Sequence, residues 1–215
     1  MPLKKKRCQD WKLYVITDRE AVGKRPLEEV VRSAVQAGAS VIQLRDKLAS
    51  DDELVQLART LLKITDPLKI PLIINDRVGV AKRSGAQGVH LGQADGGLKE
   101  ARQVLGPNAI FGRSTHNPEQ ALRAQEEGFD YIGVGPVFKT PTKPTYEPTG
   151  LGFVLFSSEN IKIPFVAIGG INLENIEQVR RAGARSVAVV RAVMGSQYPA
   201  RATRQLIKKL RGKHD

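Results

Sequence analysis

The chain has 215 residues, of which 41% are hydrophobic and 26% charged, with 20 glycines and 12 prolines. This is the make-up of a globular chain with a full core, and it excludes wholesale disorder and, with Cys8 as the single cysteine, an internal disulfide framework. The formal charge of +12 attracts polyanions of every kind, from phosphorylated metabolites to nucleic acid and anionic lipid, and does not choose among them.

Residues 1–11, with Lys4, Lys5, Lys6 and Arg7, read as a basic leader expected to be flexible and solvated, with Cys8 an incidental thiol. Residues 12–215 are expected to form one catalytic domain. No apolar run approaches the roughly 20 residues of a membrane span, and the start lacks a signal peptide's apolar core, so the expected location is the cytoplasm without a membrane partner.

Leu13 to Thr17 is an apolar run that predicts a strand, and Leu27, Val30, Val31, Ala34 and Val35 follow at helical spacing. Further strands are predicted at Val41 to Leu44, Leu72 to Asn75, Gly88 to Leu91, Ile110 to Arg113, Tyr131 to Val134, Phe165 to Ile168 and Val187 to Val190. Helical patterns lie between them at Asp51 to Ile64, Arg77 to Ser84, Lys99 to Leu105, Pro118 to Glu127, Leu173 to Arg181 and Ala200 to Leu210. After the sixth strand only Phe153 to Phe156 suggests a helix. Gly38, Gly85, Gly128 and Gly183 each separate a helical pattern from an even-numbered strand, the place for a left-handed helix end feeding a parallel strand. A doubly wound open sheet gives similar alternation. Eight strands without a dinucleotide-binding fingerprint favour a single (β/α)8 TIM barrel.

Barrel enzymes keep their chemistry on the loops after the C-terminal strand ends. Those loops are polar here: Gln43-Leu44-Arg45-Asp46-Lys47, Asn75-Asp76-Arg77, Leu91-Gly92-Gln93-Ala94-Asp95, Gly112-Arg113-Ser114-Thr115-His116 and Gly169-Gly170. Period-two alternation aims Gln43 and Arg45 to one side. Asp76 and Asp95 follow neighbouring strands and could share one Mg²⁺, which takes one or two carboxylates and completes its shell with water and substrate phosphate. Either aspartate alone reads first as a helix cap or turn former. With Arg45, Lys47 and Lys143 nearby, the pair points to a diphosphate ligand.

The long stretch from Gly133 through Lys143 to Gly150 supplies Thr140, Thr142 and Lys143 as phosphate donors, and its prolines limit the entropy lost on closing; the bland alternative is a solvated linker. Gly169-Gly170 can bring backbone amides to an anion or simply form a turn. His90 lies within a strand and reads first as a core residue, while His116 divides between a helix-entry role and a substrate contact. Neither a nucleophile elbow nor a P-loop is present.

In their order these motifs resemble the thiamin phosphate synthase family: Leu13-Tyr14-Val15-Ile16-Thr17-Asp18, Gln43 to Lys47, Asn75-Asp76, His90-Leu91-Gly92-Gln93 with Asp95, Gly112-Arg113-Ser114, Asp130 to Pro136 with Thr140, Thr142 and Lys143, and Ala167-Ile168-Gly169-Gly170-Ile171. The resemblance spans roughly residues 12 to 210. It implies a Mg²⁺-dependent transferase that joins 4-amino-2-methyl-5-hydroxymethylpyrimidine diphosphate to a thiazole phosphate and releases pyrophosphate through a carbocation. Asp76 and Asp95 would bind Mg²⁺. Arg45, Lys47, Asn75 and Lys143 would hold the diphosphate, Gln43 would read the pyrimidine, and Ser114 would sit near the pyrimidine and the leaving group. Thr140, Thr142 and Gly170 would grip the thiazole phosphate. Where relatives carry Ser on the thiazole phosphate at the end of the eighth strand, this chain has Val190-Arg191, which become the substrate contacts there. The Arg191 amide can still donate and its guanidinium add a charged grip, or the side chain turns outward, since alternation leaves the phase of this strand open. The catalytic set implied is therefore Ser114, Lys143, Arg45 and Lys47.

Two other readings carry discriminating features. The related thiazole tautomerases tend to lose the acidic pair and carry His after the sixth strand, where this chain has Gly135-Pro136. A nucleic-acid-binding protein would draw on the +12 charge, but no aromatics interleave with the basic clusters, so small-molecule substrates are the expected partners. A homo-oligomer is compatible with all of this.

Overall fold

The eight predicted strands are present, and in the computed structural model, which describes residues 8–141 and 147–212, they close into a parallel barrel. In chain order they are β1 (Leu13–Ile16), β2 (Val41–Leu44), β3 (Leu72–Asn75), β4 (Gly88–Leu91), β5 (Ile110–Thr115), β6 (Tyr131–Val134), β7 (Phe165–Ile168) and β8 (Val187–Val189). Each pairs with its sequence neighbours, and β8 returns to β1 with Tyr14 opposite Ala188. Closure removes the open-sheet alternative.

Alternation within each strand sorts the side chains into two cores. Leu13, Val15, Ile42, Leu44, Leu72, Ile74, Val89, Leu91, Phe111 and Ile132 belong to the larger cluster, which contains the helix faces. Tyr14, Ile16, Val41, Ile73, Ile110, Tyr131, Val166 and Ala188 form the second, inside the barrel. Leading into β1, Cys8 (2% exposed) and Trp11 (4%) join that inner cluster, and the Trp11 ring meets Tyr14 and Tyr131 edge-on at 5.6 and 4.9 Å. Cys8 is thus a core residue and not the incidental surface thiol expected from its polar neighbours.

The outer helices are α1 (Arg19–Val22), α2 (Leu27–Gln36), α3 (Asp51–Thr65), α4 (Val78–Ser84), α5 (Leu98–Leu105), α6 (Pro118–Glu127), α7 (Gly150–Asn160), α8 (Ile176–Arg181), α9 (Arg191–Met194) and α10 (Pro199–Arg211). Their starts follow local chemistry. Ser50 and Glu53 form a reciprocal capping box on α3, and Asn117 accepts from the Gln120 amide with Pro118 in the first turn of α6. Helix α8 begins three residues later than the apolar spacing predicts. The Asn172 amide donates to Asn175 Oδ1 and the Glu174 amide to Asn172 Oδ1, which holds that stretch in turns.

Candidate active site

At the C-terminal end of the barrel, the inward positions of successive strands open into a cavity of about 310 Å³. Its lining includes Gln43 and Arg45 after β2, Asn75 on β3, His90 on β4, Ser114 on β5, Thr140, Gly170 after β7, and Val190 and Arg191 after β8. Eight of the residues singled out from the sequence as substrate contacts therefore meet in one place. Thr142 and Lys143 lie outside the described residues.

Each contact is held by a local device. The Thr17 hydroxyl accepts from the Arg45 amide at 2.9 Å and donates back to the Arg45 carbonyl at 3.2 Å, so the end of β1 fixes the loop that carries the guanidinium. Asp46 accepts from the amides of Leu48 and Ala49 and pairs with Arg19 at 2.8 Å. Burial pushes its carboxyl up, but these donors outweigh that and hold it below the usual carboxylate range.

Asp76 follows Asn75 in a three-residue turn closed by the Arg77 amide on the Asn75 carbonyl at 2.7 Å, with a left-handed φ of 62°. Such a turn is strained for a residue with a side chain, by about 1–3 kcal/mol. It brings the Asp76 carboxylate within 3.1 Å of the Lys47 ammonium and into hydrogen-bonding reach of Asp95. Burial, then Asp76 itself, push the Asp95 carboxyl up, while the Gly92 amide at 2.7 Å and Lys47 pull it down. Two carboxylates crowded together, one with a raised pKa, are the donor set a hard divalent cation relieves.

Gly169 and Gly170 have φ values of 106° and 64°. A Cβ on Gly170 would come within 2.6 Å of the Lys139 carbonyl and 2.8 Å of Phe138 Cβ, so glycine is needed for the backbone to pass beside the 138–139 segment at the cavity wall.

Two histidines line the same cavity. His116 sits at the entry to α6, where its amide donates to Gln120 Oε1 at 2.8 Å, and its ring, with Nδ1 at the Gly135 carbonyl, also lines the cavity. His90, expected first as a core residue, is 9% exposed and touches Ser114 Oγ through Nε2 and Tyr131 Oη through Nδ1, each at 2.9 Å. Tyr14, Tyr131, Lys139 and Asn172 also line the cavity and were not singled out from the sequence, although Tyr14 and Tyr131 alternate inward on their strands as His90 does.

The end of β8 settles the alternation left open by the sequence. Val190 packs on the inner cluster, whereas the Arg191 side chain, at the first position of α9, turns to Glu20 of α1 at 3.3 Å.

A family model described as thiamine monophosphate synthase matches residues 13–193. The chain belongs to the thiamine monophosphate synthase family. It is 45% identical over 201 residues to the thiamine-phosphate synthase of Syntrophomonas wolfei, covering 92% of this chain and 96% of that protein. It is 44% identical over 204 residues to that of Synechocystis sp., where the match covers 95% of this chain but spans only 58% of the relative's length. Among solved structures, the thiamine phosphate pyrophosphorylase from Pyrococcus furiosus superposes with a TM-score of 0.86 at 38% identity, covering 96% of this chain and 97% of that one. Membership in the thiamine monophosphate synthase family makes the chain an enzyme of the transferase class, with thiamine-phosphate synthase activity. Among the described residues no helix is long and apolar enough to cross a membrane.

Proposed function

We propose that this chain joins 4-amino-2-methyl-5-hydroxymethylpyrimidine diphosphate to a thiazole phosphate in a dissociative reaction at the cavity rim. The bond from the methylene carbon to the diphosphate oxygen breaks first, and its electron pair leaves with pyrophosphate. The aminopyrimidine then carries the methylene cation until the thiazole nitrogen donates its lone pair to form the new C–N bond. Little is left for a protein acid or base, so the chain's task is charge placement and orientation.

One arrangement supports this reading: Asp76, paired with Lys47 and Asp95, directly follows Asn75, which lines the cavity together with Gln43, Arg45 and Ser114. Asp76 and Asp95 would hold one Mg²⁺, which when bound supplies countercharge to the departing diphosphate. Lys47, Arg45, Asn75 and Lys143 hold the diphosphate oxygens that remain, with Gln43 at the pyrimidine and Ser114 between the ring and the leaving group. Thr140, Thr142, Gly170 and the backbone at Val190 and Arg191 grip the thiazole phosphate. The acidic pair separates this reading from a tautomerase, whose substrate has no diphosphate. A cytoplasmic location suits these small, charged substrates.

The test is direct. Purified protein with Mg²⁺, the pyrimidine diphosphate and the thiazole phosphate is expected to form thiamin phosphate, detected by the fluorescence of its oxidised product. No product with either the ordinary or the carboxylated thiazole overturns the reading.

A further inference from the structure

Along the cavity wall, five side chains from five strands form one hydrogen-bonded line. Gln43 Nε2 donates to Tyr14 Oη at 2.8 Å, and Tyr14 Oη lies 2.9 Å from Tyr131 Oη. Tyr131 Oη is 2.9 Å from His90 Nδ1, and His90 Nε2 is 2.9 Å from Ser114 Oγ. Tyr14 and Tyr131 are 2% and 0% exposed. Both phenols are pushed above their ordinary pKa, by burial first, so each keeps its proton.

Donor counting gives this line a direction. The Gln43 amide nitrogen can only donate, so the Tyr14 oxygen receives that proton. Among the described residues, the acceptor in reach of Tyr14's own buried proton is the Tyr131 oxygen, and leaving that proton unspent would cost about 1–3 kcal/mol. Tyr131 in turn has one proton, which falls on His90 Nδ1. A neutral imidazole that accepts at Nδ1 carries its hydrogen at Nε2 and donates it to Ser114 Oγ. The Ser114 proton is then available to a ligand in the cavity.

We propose that Tyr14 and Tyr131 are positioning residues that lock His90 in its Nε2–H form and so fix Ser114 as a hydrogen-bond donor to substrate. The consequence is specific. A serine 2.9 Å from a histidine resembles a nucleophile with its base, but a protonated Nε2 cannot accept the serine proton. The same polarity leaves Gln43 Oε1 as an acceptor and Ser114 as a donor, a pattern suited to an amine beside a negatively charged leaving group. That last step rests on the reaction proposed above, whereas the tautomer does not.

The ladder register explains how the ring and phenol reach each other. His90 is paired with Gly112, and Gly112 with Tyr131, so the three form one row across β4, β5 and β6. A Cβ on Gly112 would lie 2.5 Å from His90 Nδ1 and 2.2 Å from Tyr131 Cζ. Absence of a side chain at this position opens the passage.

Ring ¹⁵N spectra of ligand-free protein test the tautomer independently of turnover, with the His90 signals identified by their loss in His90→Asn. Wild-type His90 is expected to show a bare Nδ1 and a protonated Nε2; the reverse pattern overturns the proposal. Tyr131→Phe is expected to lose this preference and to lower kcat about tenfold with the thiazole phosphate KM unchanged. Retention of the wild-type tautomer in Tyr131→Phe also overturns it. If that variant does not fold, Tyr14→Phe serves in its place, since it removes one hydroxyl upstream and must weaken the same preference. A wild-type spectrum as expected alongside no product formation would leave the tautomer lock standing and overturn only the reaction.

Discussion

The carboxylates of Asp76 and Asp95, carried by the turn after β3 and the loop after β4, meet within hydrogen-bonding reach, and the Asp95 carboxyl is pushed up by burial and then by Asp76. A carboxyl whose folded pKa lies above its unfolded value makes the fold bind more protons between the two. The stability it contributes is complete below the unfolded value, about 3.9, and is lost as pH rises through the raised folded value. At neutral pH the pair is therefore a source of repulsion that a divalent cation relieves. We expect Mg²⁺ to raise the melting temperature of the wild-type protein at pH 7 and to raise that of Asp95→Asn much less, since binding to the folded state alone stabilises by mass action. Asp95→Asn without Mg²⁺ should melt no lower than wild type, and turnover should require more Mg²⁺. Identical Mg²⁺ shifts in the two proteins would show that the pair holds no cation.

Lys47 already spans to Asp76 at 3.1 Å, with its side chain 58% exposed. Without ligand, that pair contributes little to stability. Lys47→Ala is expected to leave the melting temperature nearly unchanged while weakening the pyrimidine diphosphate. Lys143→Ala is expected to slow diphosphate departure in single-turnover experiments, by an amount equivalent to about 1.5–3 kcal/mol for a lost charge-assisted bond. Wild-type single-turnover rates in either variant would remove that lysine from the diphosphate site.

Much of this architecture is legible in the sequence because period-two alternation and turn chemistry are local. Five of the eight strands span the same residues as predicted, and the ends of β1, β5 and β8 shift by one or two. Gln43, Asn75 and Ser114 could be aimed at the rim because they lie at or within one residue of the C-terminal ends of their strands. Asp76's left-handed turn was not foreseeable, since its strain is held by a backbone bond within the turn and by tertiary contacts to Lys47 and Asp95. The Tyr14–Tyr131–His90 line was hidden for a related reason. Each residue looks like an ordinary strand position until barrel closure places residues 117 apart in sequence in contact. The inward packing of Trp11 likewise follows from closure, because only a barrel gives that end an interior to seal.

Trp11 is the single tryptophan and contacts both Tyr14 and Tyr131, so its fluorescence reports directly on the sealed end of the barrel. Trp11→Phe should retain most of the stability. Trp11→Ala should cost about 3–5 kcal/mol through lost burial and the cavity left behind. Urea unfolding followed by circular dichroism measures both, and a loss under about 1 kcal/mol for Trp11→Ala would mean that the residues before β1 contribute nothing to the fold.

Cys8 beside it has a thiol pushed up to about 12 by burial and then by the charge of Asp130. The folded chain thus holds the thiol proton in a range where the unfolded chain releases it, from about pH 8.5 upward. Its contribution to stability is complete below that value and is lost as pH rises toward the folded one. Wild-type stability should fall between about pH 8.5 and 10, before tyrosines contribute, and Cys8→Ala should fall less. The folded protein should react with a thiol reagent only at its unfolding rate. Rapid labelling of native protein would contradict the burial.

Arg191 departs from the family pattern of serine at the end of β8, and its side chain meets Glu20 at 3.3 Å with both groups well exposed. The inward phase of the strand is taken by Ala188 and Val190, so the next side chain leaves the barrel axis and finds the carboxylate on α1. An exposed pair of this kind couples by about 0.2–1 kcal/mol at most. If the guanidinium is engaged by Glu20 and only the local backbone serves the thiazole phosphate, Arg191→Ser should change the KM for that substrate by less than about threefold, which is roughly 0.6 kcal/mol. Glu20→Gln separates the alternatives, because it releases the guanidinium without removing it. A lower thiazole phosphate KM in Glu20→Gln, abolished when Arg191→Ser is added, would show that the freed side chain swings onto the phosphate. A tenfold rise in that KM for Arg191→Ser alone, with the pyrimidine diphosphate KM unchanged, would show that arginine already grips the phosphate and that its pairing with Glu20 gives way when substrate enters.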